Sequence, residues 1–370
     1  MKKRFLITTL LMALTICLVL GACSKNNASS GEGITVRLLT DATGIDDKSF
    51  NAAAWRGILD FYGDTWDNQS KRGALYDVVN AQTADMYIPN IKQATDEQYD
   101  LILTTGFTFS DALAEVAAQN LDQKYMIIDV DWVDVPNVLQ VTFAEHEGSY
   151  LVGVAAALKA QADGIQNPRF GFIGGIPDPV ITKFEVGYVQ GILSVIPNAQ
   201  IVDYYVNDWG NPDLAKAQAK IWYDSGVYAI YSAAGGSGNG TIGQAKEYRA
   251  SGRNVWAIGV DSDQFAEGLY NGTDSAVLTS MLKRVEIGTL YGLNAVKDGT
   301  FNGGEVISLD MKAGGVDYAT TNTAAMTADI VDQIEVIKAQ IIAGQIQIAA
   351  TNADAKKLLG FPQNLKALDD

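Results

Sequence analysis

The sequence predicts an α/β protein built as two doubly wound parallel-sheet lobes with a cleft between them. Three observations carry this. From residue 34 onward, short apolar runs alternate with longer amphipathic stretches, the pattern of strands joined by crossover helices. The runs are apolar without alternation, as strands buried on both faces require. There are also too many runs for one sheet, and 370 residues exceed one typical domain.

In order, strands are predicted over residues 34–40, 75–80, 101–104, 125–130, 138–141, 169–173, 200–206, 227–232 and 255–260. Helical patterns fall between most of them, over residues 49–62, 86–97, 109–119, 147–161, 181–196, 212–225 and 240–251. An acidic, loop-rich point at Glu145 to Gly148 divides this rhythm. We therefore expect a first lobe of residues 34–143 plus 277–305 and a second of residues 144–276 plus 306–370. A helical pattern over residues 324–344, with Ile and Val at helical spacing, is expected to pack on the second lobe. No short-period repeat is present.

The N-terminus has its own character. Lys2, Lys3 and Arg4 precede an apolar run from Phe5 to Leu20, too short and abruptly ended for a stable membrane span. Leu20-Gly21-Ala22-Cys23 follows, which resembles the lipobox of bacterial lipoproteins. That resemblance implies a signal peptide over residues 1–22, lipid on the Cys23 thiol, and a chain tethered to the extracytoplasmic face of the cell membrane. Residues 23–33, rich in Ser, Asn and Gly, read as a flexible tether. Cys17 and Cys23 are the two cysteines, so a mature chain would hold no disulfide and would depend on its core. The formal charge of −16 would deepen by three on signal removal and argues against nucleic-acid binding.

In open parallel sheets, ligands bind beyond the carboxyl ends of the strands. The first strand runs into Asp41 and then Asp47-Lys48-Ser49-Phe50-Asn51, a loop feeding a helix that either Asp47 or Ser49 is placed to cap. The third strand ends near Phe107, and the fourth at Asp129. The strand at 227–232 runs into the glycine-rich turn Ala233-Ala234-Gly235-Gly236-Ser237-Gly238. That turn suits either a phosphate or the close approach of backbone to a flat ligand, but no lysine makes it a P-loop. Asp261 ends the next strand, and Lys283 follows in an apolar stretch where a snorkelling surface lysine is the commoner outcome.

Together these blocks resemble the basic membrane protein (PnrA-like) family of lipoproteins, the nucleoside-binding components of ABC transporters. The carriers are DDKSFN at 46–51, VTFAEHEGSYLVG at 141–153, GFIGG at 171–175, FEVGYVQG at 184–191, AAGGSGNG at 233–240, WAIGVDSDQ at 256–264 and LTSMLKRVE at 278–286. The resemblance implies a type I periplasmic-binding-protein fold with three hinge crossings, a purine nucleoside between the lobes, an ABC permease as partner, and no cofactor. It implies that Asp41 and Asn51 meet polar edges of the ligand, that Phe50 stacks on the base, that Asp129 is a further polar contact, and that Ser49 belongs to the ligand site. It also implies that Ala234, Gly235 and Gly236 bring backbone to the base, and that Asp261 and Lys283 hold the ribose hydroxyls. Ala233 and Ala234 stand where family members can offer a second aromatic. Phe107 or Trp209 is left to complete the sandwich, or the stack is one-sided.

Other function classes fit less well. His146 is the only histidine, so a two-histidine metal site is excluded, and no G-x-S-x-G turn accompanies it. It reads as structural, near a crossover between lobes. A glycosidase-like carboxylate pair stays open on residue types alone. A sugar receptor of the same fold and a signalling or adhesin lipoprotein are the alternatives. A monomer is the expected state of a tethered receptor.

Overall fold

The computed structural model describes residues 33–368. The predicted signal peptide, Cys23 and nearly all of the tether lie outside the described residues. Each described lobe centres on a six-stranded sheet.

The first sheet contains β1 (Val36–Thr40), β2 (Tyr76–Asn80), β3 (Leu101–Thr105), β4 (Tyr125–Ile128), β5 (Val138–Phe143) and β11 (Val306–Leu309), in the order β11-β5-β4-β3-β1-β2. The second contains β6 (Arg169–Gly174), β7 (Gln200–Tyr205), β8 (Val227–Ala233), β9 (Trp256–Asp261), β10 (Val277–Lys283) and β12 (Val316–Tyr318), in the order β12-β10-β9-β8-β6-β7. All pairings are parallel except β10 with β12. The inner strands β1, β3, β8 and β9 are buried at every position, which is why their sequences are apolar without alternation.

The flanking helices of the first lobe are α1 (Phe50–Tyr62), α2 (Tyr87–Asp96) and α3 (Ser110–Gln119). The second lobe carries α4 (Glu145–Ala162), α5 (Pro179–Val195), α6 (Pro212–Asp224) and α7 (Gly238–Ala250). Helix α8 (Val285–Lys297) returns to pack on α1, and α9 (Ala328–Ile342) packs on α4 through Ile330, Ile334 and Ile341. Local signals set several ends. Gly63 closes α1 in the left-handed conformation, while Asp178 caps α5 by accepting from Val180 N at 2.8 Å ahead of Pro179.

Two expectations of the sequence need correction. Residues 277–283 form β10 in the second sheet, and residues 306–309 form β11 in the first, so these parts of the expected lobe boundaries are exchanged. The chain crosses between lobes after Phe143, after Lys283 and after Leu309. The cause is pairing: β10 extends the second sheet beside β9, the strand before it, and β11 lies beside β5, a partner far away in sequence. The acidic point at Glu145 is also not a loop but the first turn of α4, where carboxylates suit the helix dipole.

The FEVGYVQG and SYLVG motifs serve packing. A Cβ at Gly187 would stand 2.3 Å from His146 O, one at Gly191 2.1 Å from Tyr150 O, and one at Gly153 2.3 Å from Tyr188 O. Helices α4 and α5 therefore touch backbone to backbone, and this contact seats the N-terminus of α4 beside the crossings.

Candidate functional site

A cavity lies where the carboxyl ends of β1, β3, β4, β8, β9 and β10 converge. It holds about 590 Å³ of empty space counted out to its open mouth, within the range of small-molecule sites. Asp41, Thr43, Asp47, Phe50, Asn51, Thr105, Gly106, Phe107, Thr108 and Asp129 form the wall from the first lobe. Ile181, Phe184, Trp209, Ala233, Gly235, Val260, Asp261 and Lys283 form the wall from the second.

The first wall is a web of hydrogen bonds on the N-terminus of α1. Asp41 Oδ1 accepts from Thr43 N at 3.0 Å, Thr43 Oγ1 at 2.5 Å and Asn51 Nδ2 at 3.1 Å. Asn51 also donates to Thr43 Oγ1 at 3.0 Å and accepts from Thr105 Oγ1 at 2.6 Å. The Asn51 amide thus orients its neighbours. Asp47 caps α1, accepting from the backbone N–H groups of Ser49 at 3.0 Å, Asn51 at 2.8 Å and Ala52 at 3.0 Å. Burial pushes its carboxyl up to about 6 against the pull of those donors.

Around Lys283, on the second wall, a buried charge cluster bridges the cleft to Asp129 of the first wall and backs onto Glu145. Lys283 is 1% exposed. Its Nζ lies 2.6 and 2.7 Å from the two Asp129 oxygens and 2.9 Å from Glu145 Oε1. The rings of Phe50, Phe143 and Phe184 stand 5.1, 5.2 and 5.3 Å from the same nitrogen. Burial opposes the Lys283 charge, but Asp129, Glu145 and Asp261 outweigh it and raise the pKa. Burial pushes Asp129 up, against the pull of Lys283. Burial also opposes the Glu145 charge, but Lys283 and Lys183 prevail and hold it below the usual range. Lys183 Nζ is 3.3 Å from Glu145 Oε2.

The ion pairs of Lys283 are with Asp129 and Glu145, and Asp261 is not among them. Asp261 Oδ2 instead accepts from Ser49 Oγ across the cleft at 2.5 Å. Burial pushes Asp261 up to about 6, with Lys283 and Ser49 acting against it. Asp129 and Asp261 both adopt left-handed backbone, φ +71° and +62°, at strand ends. Aspartate tolerates this conformation better than most residues, and it turns the chain sharply at the cavity wall.

Of the residues singled out from sequence, Asp41, Phe50, Asn51, Phe107, Asp129, Gly235, Asp261 and Lys283 line the cavity. Ser49, Ala234 and Gly236 do not. Ser49 is buried behind the wall against Asp261. Ala234 is buried in the apolar cluster with Ile173 and Val206. Gly236 lies under the Trp209 backbone, where an added Cβ would be 3.2 Å from its carbonyl oxygen. Phe107 and Trp209 both reach the cavity and meet edge to face, with centroids 6.0 Å apart at 70°. Gly175 makes room for Trp209, since a Cβ there would come within 2.0 Å of the indole. Sequence reasoning did not assign Phe184 or Glu145 a role at the site. Phe184 stood in the FEVGYVQG motif, and Glu145 in the misread acidic stretch.

His146 is not in the cavity wall. Burial pushes its pKa down to about 4, so it is neutral at pH 7. Among the described residues, no group of His, Cys, Asp or Glu is arranged to hold a metal, and no helix is long and apolar enough to cross a membrane.

Two parallel-sheet lobes, three crossings and a cavity walled by strand-end loops define a periplasmic-type solute receptor. The chain belongs to the family described as "ABC transporter substrate-binding protein PnrA-like", whose profile matches residues 34–352. It is 36% identical to the "CD4+ T-cell-stimulating antigen" of Listeria monocytogenes, covering 94% of this chain and 99% of that one. It is 35% identical, with the same coverages, to the "ABC transporter nucleoside-binding protein BmpA" of Lactococcus lactis subsp. cremoris. Among solved structures, an ABC transporter solute-binding protein of Aeropyrum pernix K1 superposes with a TM-score of 0.73 at 25% identity, over 86% of this chain and 94% of that one. The carbohydrate-binding protein of Agrobacterium radiobacter in complex with D-arabinose shares the fold, with a TM-score of 0.55 at 17% identity over 82% and 99%.

Proposed function

We propose that this chain is a lipid-anchored, monomeric receptor on the extracytoplasmic face of a bacterial membrane, which binds a purine nucleoside in the interlobe cavity and delivers it to an ABC permease. The observation that carries the reading is the pairing of an aromatic edge with a carboxylate-rich, water-poor cluster in one cavity. Phe50, Phe107 and Trp209 offer faces and edges to a flat base, and stacking on such rings is worth about 1–3 kcal/mol per base. Asp129 and Asp261 are acceptors for a vicinal diol. Lys283 is already matched by Asp129 and Glu145, so the wall offers no spare cation to a phosphate. An uncharged nucleoside therefore fits better than a nucleotide. The name of the Lactococcus relative agrees with this reading.

The test is calorimetry with inosine, guanosine, guanosine monophosphate and D-arabinose. Saturable binding of the nucleosides, weaker binding of the monophosphate and none of the sugar is expected. Tighter binding of the monophosphate, or binding of arabinose alone, would overturn the assignment. For the anchor, labelled palmitate should enter the chain in bacterial cells and fail to enter a Cys23→Ser variant.

A further inference from the structure

The cavity wall does not include Glu145, yet Glu145 is buried, 1% exposed, and 2.9 Å from the Lys283 ammonium. The two residues adjoin different crossings. Glu145 follows the first, after β5, and Lys283 precedes the second, at the end of β10. Helix α4 packs directly on β10, so Glu145 and Lys283 ride on the same lobe. Asp129 does not. It follows β4 in the first sheet, and its contact with Lys283 spans the cleft.

Lys283 thus has one carboxylate partner that stays with it and one that departs when the lobes part. A buried ammonium left without a partner is costly. We propose that Glu145 is a positioning residue: it keeps Lys283 charged and in place while the cleft is open, and so prevents the Lys283–Asp129 pair from shutting the cleft on its own. Lys183, 3.3 Å from Glu145 on the side away from Lys283's contact oxygen, tempers the pair by sharing the Glu145 charge. Glu145 also repels Asp129 in the joined arrangement, which works in the same direction. A ligand then supplies the contacts that closure otherwise lacks, and only such differential contacts move the equilibrium.

The test uses no ligand, so its outcome is independent of the nucleoside assignment. Spin labels are placed on Asp111→Cys and Asp213→Cys, exposed positions on α3 and α6, in the full chain with Cys17 and Cys23 replaced by Ser. Interlobe distance distributions are measured by pulsed electron resonance. Glu145→Gln is expected to shift the ligand-free distribution toward the short distance, and Glu145→Asp to restore the parent distribution. Asp129→Asn, which removes the departing partner from the cavity wall, is expected to shift it toward the long distance. A Glu145→Gln distribution equal to the parent, or shifted to longer distance, overturns the proposal. So does an Asp129→Asn distribution equal to the parent, even if Glu145→Gln does not fold.

Discussion

The two walls of the cavity occupy equivalent places in the fold but hold together by different physics. The first-lobe wall is a hydrogen-bond web in which Asn51 ties Asp41, Thr43 and Thr105 together, and Asp47 is tied to backbone N–H groups. Each link is short-range and individually modest. The second wall depends on Lys283, whose ammonium is held by Asp129 from the facing lobe and by Glu145 behind the wall, so that its removal leaves two buried carboxylates short of charge. Strand-end geometry explains why both walls face the cavity. It does not explain their chemistry, which comes from which side chains are desolvated together.

The sharpest way to break this contrast is Lys283→Met. It leaves Asp129 buried without its cation and Glu145 with Lys183 alone, and should destabilise the fold by about 3–5 kcal/mol as read by chemical denaturation. A loss below that of the first-wall variants would mean the cluster is not the stiffer half. Asn51→Ala should cost less, about 1–3 kcal/mol, by leaving the buried Thr105 hydroxyl and Asp41 short of partners. Thermal unfolding of the folded variant checks it. Phe50→Ala should lower nucleoside affinity by roughly 1–3 kcal/mol in calorimetry. Its site on the wall predicts little change in overall folding cooperativity.

A graded effect is expected in pH. Burial sets Asp261 at about 6, above its unfolded value. The folded chain therefore holds a proton there that the unfolded chain has lost, between about pH 4 and 6, and this group subtracts stability as pH rises through that window. Binding runs the other way if the diol needs the carboxylate. Affinity should fall as pH drops below 6, and Asp261→Asn should weaken that dependence while the part carried by Asp129, also pushed up by burial, remains.

Much of the frame was legible in the chain itself. The nine strands expected from apolar runs all exist within a few residues, the inner ones because a strand buried on both faces announces itself locally. Asp41, Phe50, Asn51, Phe107, Asp129 and Asp261 were legible as cavity residues because each stands in or just beyond a strand end or at the entry to the following helix, whereas Lys283, at the end of an unpredicted strand, was marked only by the family resemblance. The turn at Gly235 misled in part. Its left-handed backbone, φ +53°, lies between Ala234, which packs inward, and Gly236, which sits under Trp209.

What the chain determined alone was the alternation of strands and helices, the apolar cores of both sheets, and the loops that carry polar and aromatic groups. All of these follow from neighbours in sequence competing for burial or turn conformation. What only the tertiary structure decided was which sheet β10 and β11 join, that Asp47 rather than Ser49 caps α1, and that Lys283 pairs with Asp129 and Glu145 while Asp261 turns to Ser49. The β11–β5 pairing and the buried ion pair of Lys283 with Asp129 join residues far apart in sequence, and desolvation sets the strength of such an ion pair. No local pattern records either.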